Sequence, residues 1–92
     1  MDRVCVAVLA TLDSKYEAAR FVCAALTAAG ATPWLVDVSL RPNEHDFADV
    51  NGGVVAESAG LTWAELGRLA RADAAKAMVK GGTEIVRAKF AR

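Results

Sequence analysis

The 92 residues include two cysteines, two prolines, one histidine and one tyrosine, and each shortage removes a class of protein. Two cysteines cannot supply the several bridges that hold a small secreted domain together. Cys5 and Cys23 also lack metal-ligand spacing. Both fall in apolar segments, where a reduced cysteine packs as a small hydrophobe. Neither charge sign is in excess, with 11 Lys and Arg against 11 Asp and Glu, and the basic residues are scattered, so no field draws nucleic acid. No apolar run approaches the roughly 18 residues of a membrane span, and Asp2 and Arg3 lead into the first apolar segment without a signal-peptide core, so the expected location is cytoplasmic. Neither G-x-G-x-x-G nor G-x-x-x-x-G-K-[ST] occurs, which argues against a dinucleotide-binding dehydrogenase and a Walker ATPase. His45 lies in a polar segment beside Glu44 and Asp46 without convergent ligands, and reads as a solvated residue with no nucleophile–base pair around it.

What is present is apolar and ordered. Hydrophobic residues make up 54% of the chain, above the roughly 45–50% of ordinary soluble chains, and the mean hydropathy is +0.26. Residues 4–10, Val-Cys-Val-Ala-Val-Leu-Ala, are apolar at every position, the pattern of a parallel strand covered on both faces. Ser14-Lys15-Tyr16-Glu17 has the form of a capping box and predicts a helix over residues 15–29. Its stripe would be Ala19, Val22, Leu26 and Ala29, widened by Phe21 and Ala25, and Gly30 would close it. Trp34-Leu35-Val36-Asp37-Val38 reads as a second strand, entered through Pro33. Strand, helix and strand of these lengths make a right-handed βαβ unit.

Residues 39–51 lose the apolar period and read as a polar surface loop with no evident folding role. A short helix over 54–59 should end at Gly60. Thr62-Trp63-Ala64-Glu65 is a second capping box, opening a helix that breaks within 70–73, with Asp73 as a cap for its continuation. Ala74, Ala77, Met78, Gly81, Ile85 and Ala88 then follow one helix face. Gly81-Gly82 costs that helix about 1 kcal/mol per glycine relative to alanine, which predicts close approach to another backbone or a local break. Trp34 and Trp63 read as packing anchors. The fold class is α/β, a Rossmann-like parallel βαβ unit followed by helices. Two parallel strands do not make a stable sheet unaided, so the 92 residues are expected to form the N-terminal part of one larger domain, with strands supplied elsewhere.

The carboxyl end of the first strand is where an open α/β sheet binds ligands, and there the chain places Thr11-Leu12-Asp13-Ser14-Lys15. An anion over Ser14 and Lys15 would meet a helix N-terminus with unpaired N–H groups and a favourable dipole. Lys15 is the candidate phosphate partner, or else a solvated first-turn lysine that opposes the dipole. Thr11 either donates its hydroxyl to a phosphate or only turns the chain. Asp13 would need Mg²⁺ or a ribose hydroxyl as intermediary, or caps the helix. Ser14 caps in either case. Asp37 ends the second strand, where an acidic residue reaches a ribose in dinucleotide folds, or simply begins a turn.

Taken in order, the first strand, the 11–15 turn, Leu35-Val36-Asp37-Val38 and Ala77-Met78-Val79-Lys80-Gly81 resemble the ATP-binding domain of the plant tobamovirus-resistance proteins and their uncharacterised bacterial and fungal relatives. The likeness spans the whole chain but only the opening part of that domain, and its most specific element is the Thr-x-Asp-Thr/Ser-Lys turn. It implies two Rossmann-like lobes, ATP as ligand, and self-association, and it implies no reaction. Ala10 and Tyr16 stand where that family usually has glycine, and Ser14 where it has threonine. Serine keeps the hydroxyl, whereas the Ala10 methyl restricts close approach of a ligand to the backbone. The expected function is therefore nucleotide binding, with ATP, with or without Mg²⁺, as cofactor, through Thr11, Asp13, Ser14, Lys15 and Asp37. Two alternatives stand beside it: an oligomerising half-domain whose turn is only a helix cap, and part of an enzyme acting on a phosphorylated or carboxylated metabolite.

Overall fold

The computed structural model describes residues 4–91. Along them run β1 (Cys5–Ala10), α1 (Leu12–Ala28), β2 (Thr32–Asp37), α2 (Gly52–Ser58), α3 (Trp63–Gly67) and α4 (Arg71–Phe90). The two strands pair in parallel, with Cys5 opposite Thr32 and Ala10 opposite Asp37, so the chain is α/β and its opening is the expected βαβ unit. Strand alternation sorts the core into two layers. Leu35 faces α1 and packs with Leu12, Ala19 and Cys23, flanked by Val8 and Ala10. Its neighbour Val36 faces the opposite way, into Val55, Ala56, Leu66, Ala74 and Met78 from α2, α3 and α4. Each fully buried Leu, Val or Met in these layers contributes about 1.5–3 kcal/mol over its exposed state.

Local signals set most boundaries. Gly30 and Gly60 take φ of +88° and +83°, the left-handed turn that ends a helix and disfavours side chains. Thr62 and Glu65 form the expected capping box, with Thr62 Oγ1 accepting from Glu65 N at 3.1 Å and Glu65 Oε1 from Thr62 N at 3.0 Å. The helix before it starts two residues earlier than expected, because the Asn51 side chain accepts from Val54 N at 3.1 Å and caps α2 at Gly52. α4 starts at Arg71 with Ala70 in the cap position and no capping side chain, and Asp73 sits inside the first turn rather than before it.

α4 runs unbroken through Gly81-Gly82, which resolves the alternative read from the sequence in favour of close approach. A Cβ at Gly81 would overlap the Val55 backbone carbonyl, and one at Gly82 would press on Leu9 and Val38. Gly81 lets α4 lie directly on the α2 backbone, and Gly82 lets it rest on the side chains of Leu9 and Val38.

The predicted α1 stripe needs correction. Its buried residues are Leu12, Ala19 and Cys23, with Leu26 half-buried, while Phe21 and Val22 are exposed. Two strands offer α1 only a narrow strip of sheet, so a broad stripe has nothing to rest on. The 39–51 segment also has the folding role that its polarity hides. Asp49 N and Val50 N both donate to Leu35 O, and Val50 O accepts from Asp37 N at 2.9 Å. The Asp49 carboxylate accepts from Leu35 N at 2.8 Å. This segment thus closes the outer edge of β2.

Candidate functional site

The first turn of α1 is built from both ends of the βαβ unit. Asp37, at the carboxyl end of β2 and 3% exposed, turns its carboxylate onto the start of α1: Oδ1 accepts from Leu12 N at 3.2 Å, from Ser39 N at 3.0 Å and from the Ser39 hydroxyl. Ser39, fully buried, in turn accepts from Asp13 N at 3.0 Å. Leu12 and Asp13 therefore give their N–H groups to β2 and the residue pair that follows it. A carboxylate here is favoured by the helix dipole and satisfies donors that would otherwise be orphaned.

This cap from across the unit replaces the local one. α1 begins at Leu12, not at Lys15, and the Ser14–Glu17 capping box does not form. Ser14 N and Lys15 N instead both donate to Thr11 O, at 3.1 and 2.7 Å, and the Thr11 and Ser14 hydroxyls meet at 3.1 Å. Lys15 has φ −124° and ψ 29°, a kink between this opening turn and the helix proper.

The same carboxylate organises the loop. Asp37 Oδ2 accepts from Asn43 Nδ2 at 3.0 Å, and Asn43 Oδ1 accepts from His45 N at 3.1 Å. The His45 ring, read from the sequence as merely solvated, stacks on Tyr16 with centroids 3.8 Å apart and planes 11° apart. A continuous path thus runs from β2 through the loop back to α1.

Around the carboxyl end of β1 lies a cleft of about 410 Å³ whose polar lining is Thr11, Asp13, Ser14, Arg41 and Arg71. Arg41 Nε stands 3.8 Å from Asp13 Oδ2, a loose pair of little energetic weight because the arginine side chain is exposed. Arg71 is the first residue of α4, whose opening N–H groups have no capping side chain. The structure thus brings Thr11, Asp13 and Ser14 together. It buries Asp37 beneath them as a support and sets Lys15 on a neighbouring pocket with Tyr16 and His45. The two arginines escaped the sequence reading. A cation at a helix start opposes the dipole and so marks a candidate anion partner; the signal was present at Arg71 but hidden by placing the start of α4 at Asp73.

Another concavity, about 580 Å³ beside Cys23, Pro33 and Leu35, flanks the beginning of β2 rather than the strand ends where sheet ligands bind. Burial, and secondarily the charge of Asp49, push the Cys23 thiol up, which suits packing and not nucleophilic chemistry. Among the described residues no three of His, Cys, Asp and Glu gather into a metal site, and no helix is long and apolar enough to cross a membrane.

A parallel βαβ unit with a polar cleft at the strand ends defines an α/β domain of Rossmann-like build. More narrowly, the chain belongs to the uncharacterised protein family UPF0261, whose N-terminal domain matches residues 4–92. No curated protein and no solved structure matches it.

Proposed function

We propose that the chain binds a nucleotide, ATP, by its phosphates in the cleft at the end of β1. The observation that carries this reading is the pairing, in one cleft, of two hydroxyls, Thr11 and Ser14, with two guanidinium groups, Arg41 and Arg71. Guanidinium forks and hydroxyls are suited to phosphate oxygens, and the uncapped start of α4, at Arg71, adds dipole and N–H groups. The likeness of the 11–15 turn to that of the tobamovirus-resistance proteins points the same way. In this proposal Asp37 and Ser39 do not touch the ligand; they fix the turn that presents Thr11 and Ser14. Asp13 is the carboxylate of the cleft, so Mg²⁺ would enter held chiefly by phosphates, with Asp13 as the protein's contribution. Lys15 lies to the side and supplies a second, weaker attraction.

Calorimetric titration of the chain with ATP and with inorganic triphosphate tests this. Both ligands bind the wild type. Arg71→Ala weakens both by the worth of a charge-assisted bond, about 1.5–3 kcal/mol, or roughly 10- to 150-fold, and Lys15→Ala weakens both by less. Unchanged affinity in Arg71→Ala removes the cleft from the reading, and a wild type that takes neither ligand removes the function.

A further inference from the structure

Beside the phosphate cleft lies a second hollow of about 410 Å³, and the two share Asp13 and Ser14 as a common wall. Lys15, Tyr16, Glu17 and His45 complete the polar lining of the second. Its aromatic wall is the Tyr16–His45 stack, and the two rings are not equivalent. Tyr16 is the inner one: it is half-buried, the edge of Phe47 meets it with centroids 6.0 Å apart at 76°, and the Arg20 guanidinium stands 5.8 Å from its centre. His45 is the outer one. Its ring lies 3.8 Å from Tyr16 on one face, yet the residue is exposed, so the other face is open. The stack fixes the plane of the imidazole, and Asn43 Oδ1 fixes the backbone beneath it by accepting from His45 N at 3.1 Å. A ring held in this way offers a flat π surface with little left to order when a ligand arrives.

We infer that the open face of His45 is the platform for the base of the nucleotide, which extends the Tyr16–His45 stack by a third layer. The inference rests on the proposal that the phosphates occupy the cleft. The ligand then lies along the surface with its phosphates at Thr11, Ser14, Arg41 and Arg71, its ribose past the shared wall of Asp13 and Ser14, and its base on His45. Lys15 lines the second hollow and not the cleft, which sets it beside the phosphate that carries the ribose. Every base has a π face, so stacking adds affinity whatever the base. The platform therefore favours a nucleotide over bare phosphate without selecting the edge of one base.

The ratio of the affinities for ATP and for inorganic triphosphate, measured by calorimetry on the 92-residue chain, isolates the base from the phosphates. Loss of an aromatic stacking partner costs roughly 5- to 150-fold per base. His45→Ala lowers the ratio by that factor, and His45→Phe, which puts back a flat ring, restores it. His45 is the sole histidine, so its ring C–H protons are read directly by NMR. At constant pH, ATP moves them upfield through the ring current of the base stacked on them, and triphosphate does not. A ratio unchanged in His45→Ala, or ring protons that respond alike to the two ligands, overturns the inference and leaves the phosphate reading in place, with the stack serving only to anchor the loop. A wild type that takes neither ligand overturns both.

Discussion

Replacing Gly81 by alanine should unfold the domain at markedly lower temperature. The added methyl meets the Val55 carbonyl, and because the obstacle is backbone and not the end of a flexible side chain, α2 and α4 must move apart. Overpacking of this kind costs about 1–3 kcal/mol and occasionally more; an obstacle in the backbone sets it at about 3. For a domain of this size that is a fall in Tm of roughly 12–24 °C at about 4–8 °C per kcal/mol. The separation also loosens Met78 and Val55, both fully buried in the layer it disturbs. Gly67→Ala is the control. Nothing lies within 4 Å of a Cβ there, so the better helix former leaves Tm unchanged or raises it slightly. Thermal denaturation of the two variants side by side decides the matter, and equal Tm values would show that the helices do not meet at Gly81.

Asp37→Ala should be the second large loss. It strips the acceptor from Leu12 N, Ser39 N and the Ser39 hydroxyl and from Asn43, in a place water does not reach. Stranded buried donors cost about 1–3 kcal/mol each before relaxation, so a total of about 3 kcal/mol is expected, seen as a lowered urea midpoint at unchanged slope. Asp37→Asn keeps one acceptor but turns an amide toward donors, and falls between Asp37→Ala and Ser39→Ala, which strands Asp13 N and takes one hydrogen bond each from Asp37 and Asn43. Titration of Asp37→Asn also separates its two possible roles in binding. A support for the turn predicts equal weakening toward ATP and triphosphate; a ribose contact, the reading its position first suggested, predicts loss for ATP alone.

What the sequence discloses, and what it withholds, divides by distance along the chain. The Thr62–Glu65 cap, the turns at Gly30 and Gly60, and the close approach at Gly81-Gly82 are written in residues within a turn of one another, and each is legible. So is β1 as a strand, although its apolar run overstates its cover: none of its residues is fully buried and Leu9 is exposed. Ser14–Glu17 carries the letters of a cap and does not act as one, because Asp37, 25 residues away, reaches Leu12 N first. The loop misleads for the same reason: Ser39, Asn43 and Asp49 look like solvent-facing polarity until β2 is set beside them. In the cleft, Thr11, Asp13 and Ser14 follow from the turn, whereas Arg41 and Arg71 come to it only through the fold.

The cap supplied by Asp37 has a consequence in time. A helix whose first N–H groups are satisfied by its own neighbours can form alone, but the first turn of α1 is completed by Asp37, the last residue of β2, and by Ser39 just beyond it. During synthesis that turn stays open until Asp37 and Ser39 have emerged, and in refolding it closes only when β2 docks on β1. The opening of α1 and the pairing of the sheet are then one cooperative event, and the amides of Leu12 and Asp13 exchange with solvent at the pace of those in β2, far more slowly than a helix end that frays on its own.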